Sequence, residues 1–364
     1  MKLAEIPTPA LVVDIDAMER NIQRMAAFFA EGPCKLRPHF KAHKTPAIAR
    51  RQLAAGSCVG LTCATVDEAE VVVAEALTDD ILIANQVLGP GKAARVAQLA
   101  ASAGLDIKVA VDSEAGLADI ARAAQSQSAE IGVVVEVAIG HRCGARPGED
   151  AVALARKVDA TEGVALRGLM GYEGHTVAIA ERSEREAAAR GALDRLLSTV
   201  VLVRAAGLPC EIVSAGATGT YDITGRLEHV NEIQAGSYAL MDTDYARLDL
   251  PFEHALSVLG TVQSRPRDNY CVADCGHKSN TYDHGNPLVK DIAGAEVVFL
   301  SDEHASITIP ADSAIGAGDR IELWPSHIDP TINLHDVIYA VRDGEVIEVW
   351  PISARGYAHQ RAGS

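Results

Sequence analysis

The stretch IKVAVDSEAGLADIARAAQSQSAEIGVVVEV, residues 107–137, contains a complete strand–helix–strand repeat. Ile107–Asp112 and Ile131–Val137 are short apolar runs rich in β-branched residues, which is typical of buried strands. Between them, apolar side chains recur at helical spacing. Because consecutive parallel strands need a crossover helix, this stretch predicts a βαβ unit.

The same rhythm extends in both directions from this unit. Including its two strands, eight such runs precede residue 237: Lys35–Lys41, Val59–Thr65, Ile81–Asn85, Ile107–Asp112, Ile131–Val137, Leu166–Tyr172, Glu211–Ser214 and Val230–Ala235. Helical segments such as Val66–Leu77 and Ala180–Ala206 separate them, and several end at glycine. Eight strand–helix units predict an α/β fold with a closed TIM-type (β/α)8 barrel rather than an open doubly wound sheet.

The helical period disappears after about Leu250. Short β-rich runs separated by turn residues follow, at Ala255–Gln263, Tyr270–Asp274, Glu296–Leu300, Arg320–Trp324 and Val337–Val341. One more strand, Ala10–Asp16, precedes the barrel and is expected to pair elsewhere. The sequence thus predicts a barrel at residues 17–248 and a second, β-rich domain at residues 249–364, joined by the N-terminal strand within residues 1–16.

Charge and composition exclude several classes of partner. Among 364 residues, 49 are acidic and 33 basic, so the formal net charge is −16 and repels nucleic acid and anionic lipid. The apolar runs fall short of the roughly 20 residues that span a bilayer, and residues 1–10 lack a signal-peptide core. The seven cysteines form no Cys-x-x-Cys pair. We therefore expect reduced thiols in a soluble, cytoplasmic protein with no nucleic-acid or membrane partner.

Two loops of small residues follow the last two predicted barrel strands. Residues 214–220 read SAGATGT, and residues 236–238 read GSY. TIM barrels have their active sites at the carboxyl ends of the strands and often bind phosphate after strands 7 and 8. Backbone N–H groups and hydroxyls in such loops are good phosphate ligands. Each loop alone also fits an ordinary tight turn, but their joint position favours a phosphate site.

A basic cluster, RPHFKAHK at residues 37–44, ends the first barrel strand. It places Lys41 at the barrel mouth, where the phosphate loops also converge. Burial and neighbouring cations lower the pKa of a lysine amine and make it more nucleophilic. On spacing alone, Lys41 is either a Schiff-base lysine or part of a solvated basic loop.

Four motifs, taken together and in this order, are specific. They are PHFKAHK at 38–44, GHRCG at 140–144, QAGSY at 234–238 and SHIDPT at 326–331. This set resembles the D-threonine aldolase and D-serine dehydratase-like family, and the likeness covers nearly the whole chain. Enzymes of that family are fold-type III pyridoxal-phosphate enzymes built like alanine racemase. The resemblance implies pyridoxal 5′-phosphate, a divalent metal and a homodimer.

The resemblance also implies roles for single residues. Lys41 is similar to the family's Schiff-base lysine, Arg142 to a residue that faces the cofactor ring or its phenolic oxygen, and Tyr172 to a ring-contacting aromatic. The implied phosphate ligands are Thr218, Gly219, Gly236, Ser237 and Tyr238. The sequence around Tyr172, GYEGH at 171–175, departs from the family's usual sequence, and so do the alanines of the loop at 214–220.

His327 and Asp329 are two residues apart in a segment predicted to be extended, so their side chains should share one face and one metal. A His-x-Asp pair alone is weak evidence, because most such pairs are caps or turns. The resemblance implies a metal site here, since His-x-Asp is typical of the aldolases and His-x-Cys with zinc of the dehydratases. A carboxylate favours manganese or magnesium, and zinc stays open. Four other histidines of this domain, His277, His284, His304 and His335, are expected to be structural, and the alternative is that one of them serves as a base or an outer-shell metal ligand.

The predicted activity is that of a D-threonine aldolase-like carbon–carbon lyase. It cleaves a small D-β-hydroxy-α-amino acid to glycine and an aldehyde, with Lys41, His327 and Asp329 as catalytic residues. A D-serine or 3-hydroxy-D-aspartate dehydratase on the same scaffold is the alternative. A racemase is disfavoured because it would have no use for a metal bound by the His-x-Asp pair. A non-catalytic pyridoxal-phosphate carrier is disfavoured because such proteins lack the second domain.

Overall fold

The computed structural model describes residues 1–177 and 179–357, so the last part of the predicted second domain, 358–364, lies outside the described residues. The chain divides into two compact units. The barrel unit comprises Ala26–Lys41 and Gln52–Gly236, and the β unit comprises Met1–Met25, Ala42–Arg51 and the chain from Ser237 onwards. The predicted domain limits, 17–248 and 249–364, stay a prediction.

The strands, in chain order, are β1 Ala10–Asp14, β2 Lys35–Leu36, β3 Leu61–Cys63, β4 Asp80–Gln86, β5 Asp106–Val111, β6 Ile131–Glu136, β7 Val164–Met170, β8 Ile212–Ala215, β9 Glu232–Ile233, β10 Leu256–Arg267, β11 Tyr270–Ala273, β12 Leu288–Val289, β13 Glu296–Leu300, β14 Ala305–Thr308, β15 Arg320–Trp324, β16 Val337–Arg342 and β17 Glu345–Pro351. The α-helices are α1 Ile15–Phe28, α2 Pro46–Ala54, α3 Val66–Ala74, α4 Pro90–Ala100, α5 Glu114–Ser126, α6 Glu149–Asp159, α7 Arg182–Ala205, α8 Tyr221–Thr224, α9 Thr243–Ala246 and α10 Ile328–Ile332. Short 3-10 helices lie at Leu3–Glu5, Phe40–Ala42, Gly174–Thr176 and Ser237–Ala239. None of the helices in the described part of the chain has both the length and the apolar character needed to cross a membrane.

The eight strands β2 to β9 form one parallel sheet in the order β2-β9-β8-β7-β6-β5-β4-β3. Isolated parallel bridges, Leu36 to Cys58 and His39 to Thr62, join the two ends of this order. Helices alternate with the strands because each parallel connection needs a crossover. Every residue of β6 is buried, as its run of β-branched side chains predicts. The predicted TIM-type barrel with a separate β-rich domain is confirmed.

Ionic side chains occupy the amino ends of several barrel strands. Arg37 is only 1% exposed, and its guanidinium donates to both carboxylate oxygens of Glu232, at 2.8 and 2.6 Å, and to Asp80. Buried Lys108 forms ion pairs of 2.8 Å with Asp80 and with Asp106. Burial alone would raise the pKa of Asp80, but Arg37 and Lys108 outweigh it and lower that pKa. Residues at the amino ends of barrel strands generally stabilise the fold, whereas active sites lie at the carboxyl ends.

The β unit is built on a mixed sheet that includes the N-terminal strand. β1 lies between β10, to which it is antiparallel, and β16, to which it is parallel. The strand is shorter than the predicted Ala10–Asp16, because α1 begins at Ile15. β16 and β17 form a hairpin whose turn, Asp343-Gly344, has φ of 50° and 76°, the geometry that Asp-Gly favours.

Candidate active site

The predicted cofactor ligands of the barrel unit follow the carboxyl ends of its strands. Because β2 to β9 are parallel, all of these ends lie on one side of the sheet. Lys41 follows β2, Arg142 follows β6, Tyr172 follows β7, Thr218 and Gly219 follow β8, and Gly236 follows β9. The fold therefore gathers residues that are nearly 200 positions apart in sequence, while their individual roles stay predictions.

Lys41 lies in the 3-10 helix Phe40–Ala42, and its side chain is exposed. Two residues earlier, the N–H of His39 donates to the carbonyl of Ala235 at 3.1 Å, so the chain before Lys41 runs beside the chain before Gly236. In the β unit, the amine of Lys44 donates to the carbonyl of Asp329 at 3.1 Å. The two lysines of the basic cluster thus have different surroundings, and Lys41 is the one placed at the strand ends.

The two small-residue loops offer backbone donors. Gly219 and Gly236 are buried, yet within the described ranges neither backbone N–H donates a hydrogen bond. Buried N–H groups without a partner are rare in folded proteins. The side chain of Thr218 is also buried, at 1% exposure. The remaining predicted ligands, Ser237 and Tyr238, begin a 3-10 helix and are buried as well. Donors of this kind fit a bound phosphate.

A buried carboxylate organises the loop after β8. Glu173 is fully buried, and its Oε1 accepts from the hydroxyls of Thr220, at 2.8 Å, and Thr224, at 2.6 Å. Its Oε2 accepts from the N–H of Gly216 at 3.2 Å. Gly216 has φ +82°, and a Cβ there would come within 2.8 Å of Ile233, so only glycine fits this turn. Sequence reasoning missed Glu173, because its partners lie 43 to 51 residues further along the chain.

Arg142 is held by a buried acid at the end of β6. Glu136, 1% exposed, accepts from Arg142 at 2.8 Å, from the amide of Gln86 at 2.5 Å and from the thiol of Cys143 at 3.3 Å. Burial would lower the pKa of Arg142, but the charge of Glu136 outweighs it and raises that pKa. The guanidinium also lies 5.8 Å from the ring centroid of Tyr172. Arg142 and Tyr172, to which the resemblance gave separate roles at the cofactor ring, are therefore in contact with each other.

The proposed metal ligands come together, but not in the way that the sequence predicted. The segment is not extended throughout: His327 is extended, with φ −148° and ψ 119°, whereas Asp329 lies in the first turn of α10. The helix begins here because buried Asp242 accepts from the N–H of Ile328 at 3.2 Å. Burial raises the pKa of Asp242 to about 6. Nε2 of His327 still lies 3.8 Å from Oδ2 of Asp329.

That separation suits one shared ion. Metal bonds to imidazole nitrogen and carboxylate oxygen are roughly 2.0–2.2 Å long, so two such bonds span a gap of this size. The ligand atoms are nitrogen and oxygen, the set that suits manganese, magnesium or zinc. The side chain of Asp329 is mostly buried, at 14% exposure, and that of His327 is partly exposed, at 27%. The residues present fit a divalent metal.

Two further side chains adjoin His327. Nδ1 of His327 lies 2.6 Å from Oδ2 of Asp283, and the ring of His284 stacks on that of His327 with centroids 4.2 Å apart. Asp283, His284 and His327 form a cluster whose ligand atoms lie within 4.8 Å of one another. Burial would raise the pKa of Asp283, but His327 outweighs it and lowers that pKa. Sequence reasoning missed Asp283, because it follows no recognisable motif.

The fold is that of the pyridoxal-phosphate enzymes of the alanine racemase type. Residues 13–244 match the family model for the alanine racemase N-terminal domain, and residues 255–341 match that for a putative serine dehydratase domain. The chain belongs to this family of fold-type III enzymes, so the resemblance drawn from the four motifs is confirmed.

Particular relatives narrow the class further. The chain is 39% identical to a D-threonine aldolase from Arthrobacter over 98% of its length and 94% of the relative's. It superposes on the crystal structure of D-threonine aldolase from Filomicrobium marinum with a TM-score of 0.95 and 42% identity, covering 98% of both chains. It is also 33% identical to a D-threo-3-hydroxyaspartate dehydratase from Delftia, over 96% of this chain and 97% of the relative. The prediction of a lyase similar to D-threonine aldolase is confirmed.

Proposed function

We propose that this enzyme is a metal-dependent pyridoxal-phosphate lyase that cleaves D-threonine-like D-β-hydroxy-α-amino acids to glycine and an aldehyde. The observation that carries the proposal is the pair of His327 Nε2 and Asp329 Oδ2, 3.8 Å apart, in a chain similar over its length to D-threonine aldolases. In the net reaction the Cα–Cβ bond breaks, the β-hydroxyl loses its proton and Cα gains one.

Residues that follow the carboxyl ends of the barrel strands, together with the two residues after Gly236, would hold the cofactor. Lys41 would bind its aldehyde carbon, and the N–H groups of Gly219 and Gly236 would donate to its phosphate, with Thr218, Ser237 and Tyr238 adding contacts. Arg142, fixed by Glu136, and Tyr172 would position the ring. When bound, the cofactor supplies an electron sink at Cα and the metal a Lewis acid for the β-hydroxyl.

His327 and Asp329 would hold the metal. Because one donor is a carboxylate rather than a thiolate, we propose manganese or magnesium as the native ion, with zinc as the alternative. The same carboxylate favours the aldolase over the dehydratase reaction that the Delftia relative is named for. A D-serine or 3-hydroxy-D-aspartate dehydratase therefore stays the second candidate.

The test is release of aldehyde from D-threonine, followed with a coupled alcohol dehydrogenase. Manganese-loaded wild-type enzyme should release aldehyde, and His327→Ala and Asp329→Ala should reduce the rate at least about 100-fold while retaining the cofactor absorbance. A chelator should have the same effect as the substitutions. Undiminished activity in the chelated enzyme would refute the role of the metal.

We also propose that the enzyme acts as a homodimer in the cytoplasm. The seven cysteines are unpaired thiols in the structure, as expected in a reducing compartment. Light scattering of the holoenzyme should give twice the chain mass of 38.3 kDa. A monomeric mass would refute the dimer.

A further inference from the structure

The two ring nitrogens of His327 face two different carboxylates. Nδ1 lies 2.6 Å from Oδ2 of Asp283, a hydrogen-bond distance. Nε2 lies 3.8 Å from Oδ2 of Asp329, too far for a hydrogen bond but suited to a shared ion. The ring therefore has one nitrogen committed to Asp283 and the other directed towards the proposed metal.

The charge on Asp283 determines which atom carries the hydrogen in its bond with His327. An ionised carboxylate accepts hydrogen bonds and cannot donate them, so Nδ1 of His327 must carry the hydrogen that it shares with Asp283. In a neutral imidazole the other nitrogen, Nε2, then has the free lone pair. A metal binds only a nitrogen that has this lone pair. The position of Asp283 thus selects the tautomer that metal binding at Nε2 requires.

We propose that Asp283 is a positioning residue, which fixes the tautomer and the orientation of His327 for the metal. This inference rests on the proposed function of His327 and Asp329. Asp283 acts from behind the ring rather than as a ligand itself, because its Oδ2 bonds the nitrogen on the side away from Asp329. Carboxylate partners of this kind raise the basicity of a metal-binding histidine.

His284 supports the same arrangement through the face of the ring. Its ring stacks on that of His327 at an interplanar angle of 12°, and its Nδ1 lies 2.9 Å from Oδ2 of Asp244. The stacked ring limits tilting of His327, while the bond to Asp283 limits its rotation. Asp283 thus contacts the edge of the His327 ring and His284 contacts one face, while Nε2 of His284 itself lies 3.9 Å from Oδ2 of Asp283.

The experiment uses the full-length holoenzyme, dialysed against a chelator with the cofactor retained, and titrates it with Mn²⁺ alone. Free Mn²⁺ is measured by electron paramagnetic resonance. Asp283→Ala should weaken Mn²⁺ binding about 10- to 100-fold. Asp283→Asn should lose less, because the amide oxygen still accepts from Nδ1–H. Asp312→Asn, which removes one exposed charge of the same unit, is the matched control and should bind as the wild type does.

The outcomes separate this inference from the proposed function. If the wild type binds one Mn²⁺, His327→Ala abolishes it and Asp283→Ala does not weaken it, only the role of Asp283 is refuted. A loss in Asp283→Asn equal to that in Asp283→Ala, at unchanged unfolding temperature, would make Asp283 a direct ligand and overturn the inference. If wild type and His327→Ala bind alike, the metal site itself fails, and both proposals fail with it.

A second readout needs no substitution at Asp283. In histidine-labelled, metal-free wild type, ¹⁵N NMR should show His327 protonated at Nδ1, and the signal is assigned by its loss in His327→Ala. A neutral ring protonated at Nε2 instead would overturn the inference. If Asp283 had only a structural role, replacing it would change neither the tautomer of His327 nor the affinity for Mn²⁺.

Discussion

Replacing Glu173 should loosen the loop after β8, the proposed phosphate site, and weaken cofactor binding. In Glu173→Met the side-chain volume is nearly conserved, but all three hydrogen bonds to the carboxylate disappear. The hydroxyls of Thr220 and Thr224 can rotate towards other acceptors. The N–H of Gly216 cannot, and a buried donor left without a partner costs about 1–3 kcal/mol.

That cost converts directly to affinity. We assume that the whole cost destabilises the loop conformation that binds the cofactor. Each 1.4 kcal/mol then raises the dissociation constant tenfold, so the dissociation constant for pyridoxal phosphate should rise about 5- to 150-fold. Glu173→Gln retains an oxygen for the N–H of Gly216, so its loss should stay below about fivefold. Glu162→Gln removes an exposed acid of the barrel unit and should leave the affinity unchanged.

The assay is titration of apoenzyme with pyridoxal phosphate, followed by absorbance, together with thermal unfolding of each variant. We expect the order Glu173→Met, then Glu173→Gln, then wild type, from weakest to tightest binding. Wild-type affinity in Glu173→Met, or tighter binding because a negative charge is gone, would refute the reasoning.

Three further predictions concern the barrel unit. Borohydride reduction of the holoenzyme should fix the cofactor to Lys41, and peptide mapping that finds it on Lys44 instead would contradict the site. Arg37→Met leaves the buried carboxylate of Glu232 unpaired, so urea unfolding should show a loss of about 3–5 kcal/mol, and a loss below 1 kcal/mol would contradict the role given to this ion pair. The pKa of Asp80 is lowered in the folded state. The ionised Asp80 therefore adds to the free energy of unfolding above the unfolded pKa of about 3.9, and this stabilisation is lost as pH falls towards the folded pKa. The free energy of unfolding should therefore fall less steeply between pH 5 and 2 in Asp80→Asn than in wild type. Equal pH slopes in the two proteins would contradict this role of Asp80.

The barrel was predictable because its signal is local. Buried strands such as β6 consist of consecutive β-branched residues, and the helices between them have their own period, so each element is readable within about ten residues. The order of the strands then follows from the preference of consecutive parallel strands to be neighbours. Placement of Lys41 and Gly236 at the strand ends follows in turn, since every TIM barrel brings those ends together.

The supporting residues were not predictable, because their partners are distant in sequence. Glu173 holds hydroxyls up to 51 residues away, and Asp283 contacts a histidine 44 residues away. The start of α10 was missed for a similar reason, since Asp242 accepts from the N–H of Ile328 across 86 residues. A single acid without a motif gives no sign of which donors the fold will bring to it.

One incubation tests the central claim most directly: D-threonine with manganese-loaded enzyme, and all products quantified in the same sample. A carboxylate-bound metal at His327 and Asp329 predicts equal amounts of glycine and acetaldehyde, with no 2-oxobutanoate and no ammonia. Release of 2-oxobutanoate and ammonia without glycine would contradict the aldolase assignment, and the dehydratase function would take its place.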